Sequence, residues 1–290
     1  MKKISKRLLK LATVSMAGLY AFNKITFYLA TVKHLLPDDN GFYYNWKYGK
    51  VFYTKQGSGS PLILIHKIQP ESSGQDWNQI TEDLSKKHTL YIIDLPGCGR
   101  SDKPKLFYTS YFYVQFLESF VQNVVEKPAA ICADGNSSIF ALHYAALHQQ
   151  MVTELTLINP QVPENNYISK ITAKLRACVL SSPLLGTTIY NHHVSLENIK
   201  KRYKESYFYN KECCSEKEIN TLYESAHFKG ASARYLYASI EAGYMNMPIS
   251  HILKDLRIPA QIICSSTNPD IDAIREEYCC KMPSIKLHTI

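Results

Sequence analysis

Leu62 to Ile65 is apolar without a polar break, and Leu90 to Ile93 repeats the pattern farther along the chain. A strand with one wet face alternates apolar and polar residues, whereas an unbroken short run marks a strand buried on both faces. Such strands belong to parallel sheets covered by helices. The spacing agrees. Trp77, Ile80 and Leu84 mark a helix between the two runs. A second helix follows near Tyr111 to Glu126, with Tyr113, Phe116, Leu117, Phe120 and Val124 on one face. Ala129 to Ala133, Leu155 to Ile158, Ile262 to Cys264 and Ile285 to Ile290 read as further strands. Phe42 to Trp46 and Lys50 to Lys55 read as a short antiparallel pair ahead of the tight turn Gln56 to Ser60. The expected fold class is α/β, a mostly parallel doubly wound sheet.

The strand rhythm stops between Gln161 and about Ser250, where helical patterns and loops take over. Residues 41–160 and 251–290 are therefore expected to form the core, and 161–250 a helical cap inserted between two sheet strands. A chain of 290 residues suffices for one core plus such a lid. Residues 1–36 form a separate basic and apolar N-terminal helix, joined through Lys33 to Asn40 with a turn signal at Pro37-Asp38-Asp39-Asn40-Gly41.

The net charge of +8 is uneven, because Lys2, Lys3, Lys6, Arg7 and Lys10 supply five of it with no acid among the first ten residues. The remaining +3 is a weak footprint for nucleic acid, and no basic stripe with interleaved aromatics accompanies it. After the basic cluster come Leu11 to Phe22 and Ile25 to Val32, separated by Asn23-Lys24. Three readings stand for this segment. It is a membrane-anchoring helix on the cytoplasmic face, lying in the interface or spanning poorly with Lys24 near mid-bilayer. It is a secretory signal peptide cut near Ser15-Met16-Ala17. Or it is an ordinary amphipathic helix packed on the domain.

Eight cysteines carry no disulfide framework and no metal spacing. Cys213-Cys214 and Cys279-Cys280 are adjacent pairs, and Cys132 and Cys264 fall in expected buried strands. Reduced thiols favour a cytoplasmic main domain. Neither a cofactor nor a metal is implied.

At the end of the Leu90 strand stands Asp94-Leu95-Pro96-Gly97-Cys98-Gly99-Arg100-Ser101-Asp102-Lys103-Pro104. The glycines permit a sharp turn, and Ser101 and Asp102 suit loop backbone groups. This run closely resembles the loop after the fourth strand of α/β-hydrolases with a helical cap, the epoxide-hydrolase and haloperoxidase-like group. The resemblance extends from about Phe42 to Ile290. It covers Gly57 to Pro61, the helix Ala141 to His148, the cap segments Ser182 to Gly186 and Ala226 to Ala231, and the strand Ile258 to Ile263.

The resemblance implies a serine on a strand-turn-helix corner, a histidine base, an orienting carboxylate and two backbone oxyanion donors. Here the corner reads Ile131-Cys132-Ala133-Asp134-Gly135-Asn136-Ser137-Ser138. An ungapped alignment puts Gly135 in the nucleophile slot, and a slipped one offers Ser137 or Asp134. The oxyanion motif reads His66-Lys67-Ile68, which implies donors at Ile68 and Asn136 and aims a lysine near the pocket. The acid slot holds Asn268, with Asp270 and Asp272 as neighbouring alternatives that also suit the first turn of a helix from Ile271 to Lys281; some relatives place the acid after the preceding sheet strand, where Glu164 is a candidate. The histidine expected beyond the last strand would lie past Ile290. His227 and the pair His192-His193 are the substitutes, His66 is structural, and His288 sits within a strand. These departures imply a hydrolase fold without standard Ser-His-Asp chemistry, binding a small apolar ligand or a partner at the membrane surface through residues 1–32. A shortened version of a longer gene is the competing explanation. The enzyme alternative is an esterase-like acyl hydrolase of small apolar substrates using Ser137, Asp270 and His227.

Overall fold

The strands form in the order expected of the apolar runs: β1 (Phe42–Trp46), β2 (Gly49–Gln56), β3 (Ser60–Ile65), β4 (His88–Ile93), β5 (Ala129–Asp134), β6 (Val152–Ile158), β7 (Ala260–Cys264) and β8 (Lys286–Thr289). They build one sheet in the spatial order β1-β2-β4-β3-β5-β6-β7-β8. Only β2 is antiparallel to its neighbours; every other pair is parallel. The computed structural model describes residues 2–37, 40–163, 169–206 and 215–290. Asp38-Asp39 of the expected turn, the alternative acid Glu164 and the pair Cys213-Cys214 lie outside the described residues.

The β3 run is central, paired with β4 on one side and β5 on the other. Ile63, Leu64 and Ile65 are fully buried, as an unbroken apolar run requires. Each such side chain contributes about 1.5–3 kcal/mol relative to exposure. Helices α2 (Asn78–Ser85), α3 (Ser110–Phe120) and α4 (Ser137–Leu147) connect the parallel strands. The Thr109 hydroxyl caps α3 by accepting the Phe112 amide. The expected helix to Glu126 is present, but its last stretch, Val121–Val125, widens into a π-helical turn.

Between β6 and β7 lie α5 (Lys170–Ser181), α6 (Leu185–His193), α7 (Leu196–Ser206), α8 (Glu216–His227), α9 (Arg234–Glu241) and α10 (Ser250–Asp255). Leu180, Tyr190, Val194, Ile199, Ile219 and Tyr237 form an apolar cluster of their own within this layer. After β7 a short helix, α11 (Ile271–Ile274), passes into a π-helical turn and leads to β8.

The N-terminal helix α1 (Lys2–Thr31) docks through its C-terminal third. Asn23 bonds Thr188 and Asn191 on α6, and Phe27 packs on Tyr190 and His227. No helix among the described residues is long and apolar enough to cross a membrane. Lys24 interrupts the apolar stretch where a span would need continuity.

The motif after β4 is a latch. Burial alone would raise the Asp94 carboxyl, but the Arg100 guanidinium outweighs it and holds the group below the usual carboxylate range. Arg100 donates to Asp94 through Nε at 2.7 Å and a terminal nitrogen at 2.9 Å, while the Gly74 and Arg100 amides donate at 2.7 Å each. Gly99 is required there: its φ is +47°, and a Cβ would stand 2.3 Å from Asp94 Oδ2. Ser101 accepts the Phe52 amide and Asp102 accepts the Lys50 amide, so both fasten the loop to the backbone of β2; Ser101 alone also serves the loop itself, by donating to Asp94 O. Asp102 also pairs with Lys229 at 2.7 Å, just after α8, tying the latch to the helical layer.

Candidate active site

In this sheet the chain leaves β3 toward β4 and later returns to β5 on the other side. Ligand sites of open α/β sheets lie outside the carboxyl ends of strands at such a reversal. Here that position gathers His66-Lys67-Ile68 after β3 and Asp134-Gly135-Asn136 after β5.

Gly135 occupies the apex between β5 and α4, with φ at +57°. Its amide donates to Ile158 O at 2.9 Å, and its carbonyl accepts the Ser138 and Gln161 amides at 3.2 Å each. This is the left-handed turn that a nucleophile would need, occupied by the residue that adopts it at least cost. The space beside it is tight. A Cβ on Gly135 would stand 3.2 Å from Lys67 Cβ and 4.0 Å from Lys67 Cδ, so the lysine stem flanks the nucleophile's position and would have to give slightly.

Ser137 is two residues past the apex and fully buried. Its hydroxyl donates to His66 O at 2.6 Å. The slipped register with Ser137 exposed at the apex is therefore not the one adopted: the turn closes at Gly135, and Ser137 opens α4 facing inward. Asp134 is likewise the last residue of β5 and not the apex.

The oxyanion expectation also changes. The Ile68 amide donates to Asn136 Oδ1 at 2.7 Å, and Asn136 Nδ2 donates to Ile68 O at 3.0 Å. Both polar groups of the Ile68 backbone are thus committed to one side chain. An incoming oxyanion would have to displace the Asn136 carbonyl to reach that donor.

Charge fills the remaining room. Burial lowers the Lys67 ammonium, and Asp134, Asp76 and Glu71 pull it back toward the charged form. Asp134 is raised by burial, partly offset by Lys67. Asp76 keeps accessible surface, yet enough chain surrounds it that desolvation, against the pull of Lys67, pushes its carboxyl up to about 7. Glu71 reaches across to Arg202 on α7 at 2.8 Å, pinning the loop after β3 to the helical layer. Asp76, Glu71 and Arg202 carry no motif in the sequence that marks them as neighbours. They are separated along the chain by up to 131 positions, and no local spacing signals their meeting.

The other expected members are not brought to the apex. Asn268 shapes its own loop: Oδ1 accepts the Asp270 amide at 2.9 Å and Nδ2 donates to Asn159 Oδ1 at 3.2 Å. Asp270 is the N-terminal flanking residue of α11, and Asp272 pairs with Arg275 at 2.8 Å within the following turn. His227 is buried against Phe27, Tyr190 and Tyr223, with Nδ1 donating to Tyr223 O at 2.8 Å; burial takes its imidazole down to about 4. It contacts the N-terminal helix and has no bond to Ser137. His193 packs on Tyr237 and His192 is exposed at the end of α6. His66 is buried at the start of its loop: Nδ1 donates to Lys67 O, Nε2 accepts the Leu95 amide, and burial lowers the ring to about 4. His288 is exposed on β8.

A cavity of about 820 Å³ begins at Asn136 and runs beneath α5, lined among others by Val162, Ala173, Tyr244, Met245 and Lys281. That is within the range of sites for drug-sized molecules. Among the described residues no three His, Cys, Asp or Glu side chains converge to hold a metal ion. Cys98, Cys132 and Cys264 are buried free thiols.

The family described as the alpha/beta hydrolase fold matches residues 61–226. A 2-hydroxy-6-oxo-6-(2'-aminophenyl)hexa-2,4-dienoic acid hydrolase of Metapseudomonas resinovorans is 27% identical over 109 residues, 37% of this chain and 37% of that protein. The match thus spans little more than a third of that curated relative. Among solved structures, a membrane phospholipase A described as a bacterial virulence factor superposes with a TM-score of 0.66 at 18% identity, covering 100% of this chain and 91% of the other. An epoxide hydrolase superposes with a TM-score of 0.67 at 16% identity, covering 86% and 89%.

Proposed function

We propose a ligand-binding role without serine-hydrolase chemistry for this chain, which belongs to the α/β-hydrolase fold family. The observation that carries it is the apex at Gly135. Glycine offers no nucleophile there, and a Cβ at that position would press on Lys67 Cβ at 3.2 Å. The Ile68 amide, which would meet a developing oxyanion, is held by Asn136. Loss of one such donor costs about 2.7–4 kcal/mol of transition-state stabilisation in a well-studied hydrolase. The cavity of about 820 Å³ beside Asn136 has apolar lining from Val162, Tyr244 and Met245 and charged lining from Lys174, Arg176, Glu277 and Lys281, so it suits a small ligand with both apolar and charged parts. The helices of residues 161–250 act as its cap.

The test is labelling of the purified chain with a fluorophosphonate, alongside turnover of short-chain esters. Neither is expected. Labelling that Ser137→Ala abolishes would overturn the reading in favour of the esterase alternative.

A second reading concerns the N-terminal helix as a membrane-surface anchor. From Thr13 to Phe22 nearly every position of α1 is exposed, Val14, Met16, Tyr20 and Phe22 among them. The first 37 residues contain seven Lys or Arg and no acid, so all but +1 of the net charge of +8 lies there. An exposed apolar helix with a basic end suits the interface of an anionic bilayer. The free thiols favour its cytoplasmic face. Recovery of the full-length chain only in the soluble fraction at low salt would count against it.

A further inference from the structure

We propose that α5 carries a second lipid-binding face, so that the protein sits on an anionic bilayer through α1 and α5 together; this rests on the membrane-surface reading of α1. Ile171, Leu175 and Val179 recur every four residues and form one exposed stripe on α5, with Ile171 at 81% and Leu175 at 64% of full exposure. Leu185, the first residue of α6, is also exposed. The opposite side of α5 is satisfied: Ala173 and Ala177 are buried with Ala242, and Arg176 donates to Glu241 O at 2.7 Å. The stripe is therefore a surplus apolar face on a helix already packed. Single exposed apolar residues are ordinary, but an aligned stripe is a recognition feature.

Charge selects the occupant. Between Ser169 and Ser195 the chain carries Lys170 and Lys174, with Arg176 turned to the packed side, and no Asp or Glu. Two copies meeting through this face would oppose like charges, and the acid-free first 37 residues would repel in the same way. Anionic headgroups neutralise both segments while the acyl region takes the apolar stripe. Continuity also favours a shared surface: α5 leads directly into α6, and α6 is where Asn23 and Phe27 of α1 dock. Lys170 and Lys174 line the cavity as well, so the same helix would stand between cavity and bilayer.

The experiment is cosedimentation of the full chain at low salt with phosphatidylcholine vesicles and with vesicles also containing phosphatidylglycerol. The wild type is expected to bind the anionic vesicles far better. Ile171→Gln/Leu175→Gln is expected to weaken that binding about tenfold or more, since two apolar side chains are withdrawn from the bilayer, with an unchanged thermal melt because both positions are exposed. Lys3→Glu/Lys6→Glu is expected to weaken it independently. If the α5 variant binds as the wild type does, the α5 proposal falls while the α1 reading stands. If the wild type binds neither vesicle, both fall. A lipid-free dimer by light scattering that the α5 variant dissolves would make the stripe a protein interface and overturn the proposal.

Discussion

Asn136 and Ile68 hold each other by a two-way clasp: Ile68 N–H donates to Asn136 Oδ1 at 2.7 Å, and Asn136 Nδ2 donates to Ile68 O at 3.0 Å. The clasp joins the loop after β3 to the start of α4 across the mouth of the candidate site. It stabilises the loop and closes the donor that acyl-transfer chemistry would use.

Replacing Asn136 with alanine removes both bonds and leaves the Ile68 amide and carbonyl unpaired. A loss of about 1–3 kcal/mol is expected in urea unfolding. Asn136→Asp keeps the acceptor and loses the donor, and is expected to fall between. Neither change is expected to produce ester turnover, because Gly135 still lacks a nucleophile.

Restoring a serine at Gly135 tests the apex directly. A φ of +57° costs a side chain about 1–2 kcal/mol, and Lys67 Cβ at 3.2 Å adds crowding. Gly135→Ser is expected to lower the denaturant midpoint and to give no hydrolysis of a chromogenic acetate ester. Adding Lys67→Gly should restore part of the lost stability by opening the space.

Ser137→Ala removes a buried hydroxyl that donates to His66 O at 2.6 Å. The expected cost is about 1 kcal/mol in unfolding free energy. Fluorophosphonate labelling should be the same before and after the change.

Acid should weaken the fold through two histidines. His66 and His227 have imidazoles taken down to about 4 by burial, against an ordinary 6.5 in the unfolded chain. The unfolded state therefore takes up their protons first. Their stabilisation is full above about pH 6.5 and is lost as pH falls through about 4, with a ceiling on the order of 3 kcal/mol each. Asp76 has the opposite sign: its carboxyl is pushed up to about 7, so its contribution declines as pH rises toward 7. Urea midpoints measured from pH 4 to 8 check the acid limb. His227→Phe, neutral at every pH and fitting the same aromatic cluster, should flatten it.

Breaking the latch after β4 should be the most costly single change. Asp94→Asn leaves Arg100 buried without its counter-charge, and removal of one partner from a buried pair typically costs about 3–5 kcal/mol. A fall in the thermal midpoint larger than that of any variant above is the expected result.

Much of the fold was legible because burial writes itself into short windows. Leu62 to Ile65 and Leu90 to Ile93 are apolar at every position, and they are the central strands. Asp94 to Pro104 announced the latch because glycine, serine and aspartate positions answer to local backbone geometry. The widened turn at Val121–Val125 left no mark in the apolar periodicity, which fits an α-helix equally well. The Asn136 clasp was invisible for a different reason. An asparagine one residue past a turn reads as an oxyanion position or a helix cap, and only the approach of a loop 68 residues away decides its partner.

The chain's local chemistry thus determined by itself that a parallel sheet would form and that a tight turn would follow β5, with Gly135, Ser137 and Asp134 all open as its apex. Only the tertiary structure decided that Gly135 takes the apex with Lys67 packed against it, that Asn136 takes the Ile68 amide, and that Asp76 and Asp134 come near enough to act on the charge of the lysine. Backbone preference is a property of neighbouring residues, whereas desolvation and hydrogen-bond partnership depend on what distant segments bring into the same few ångströms.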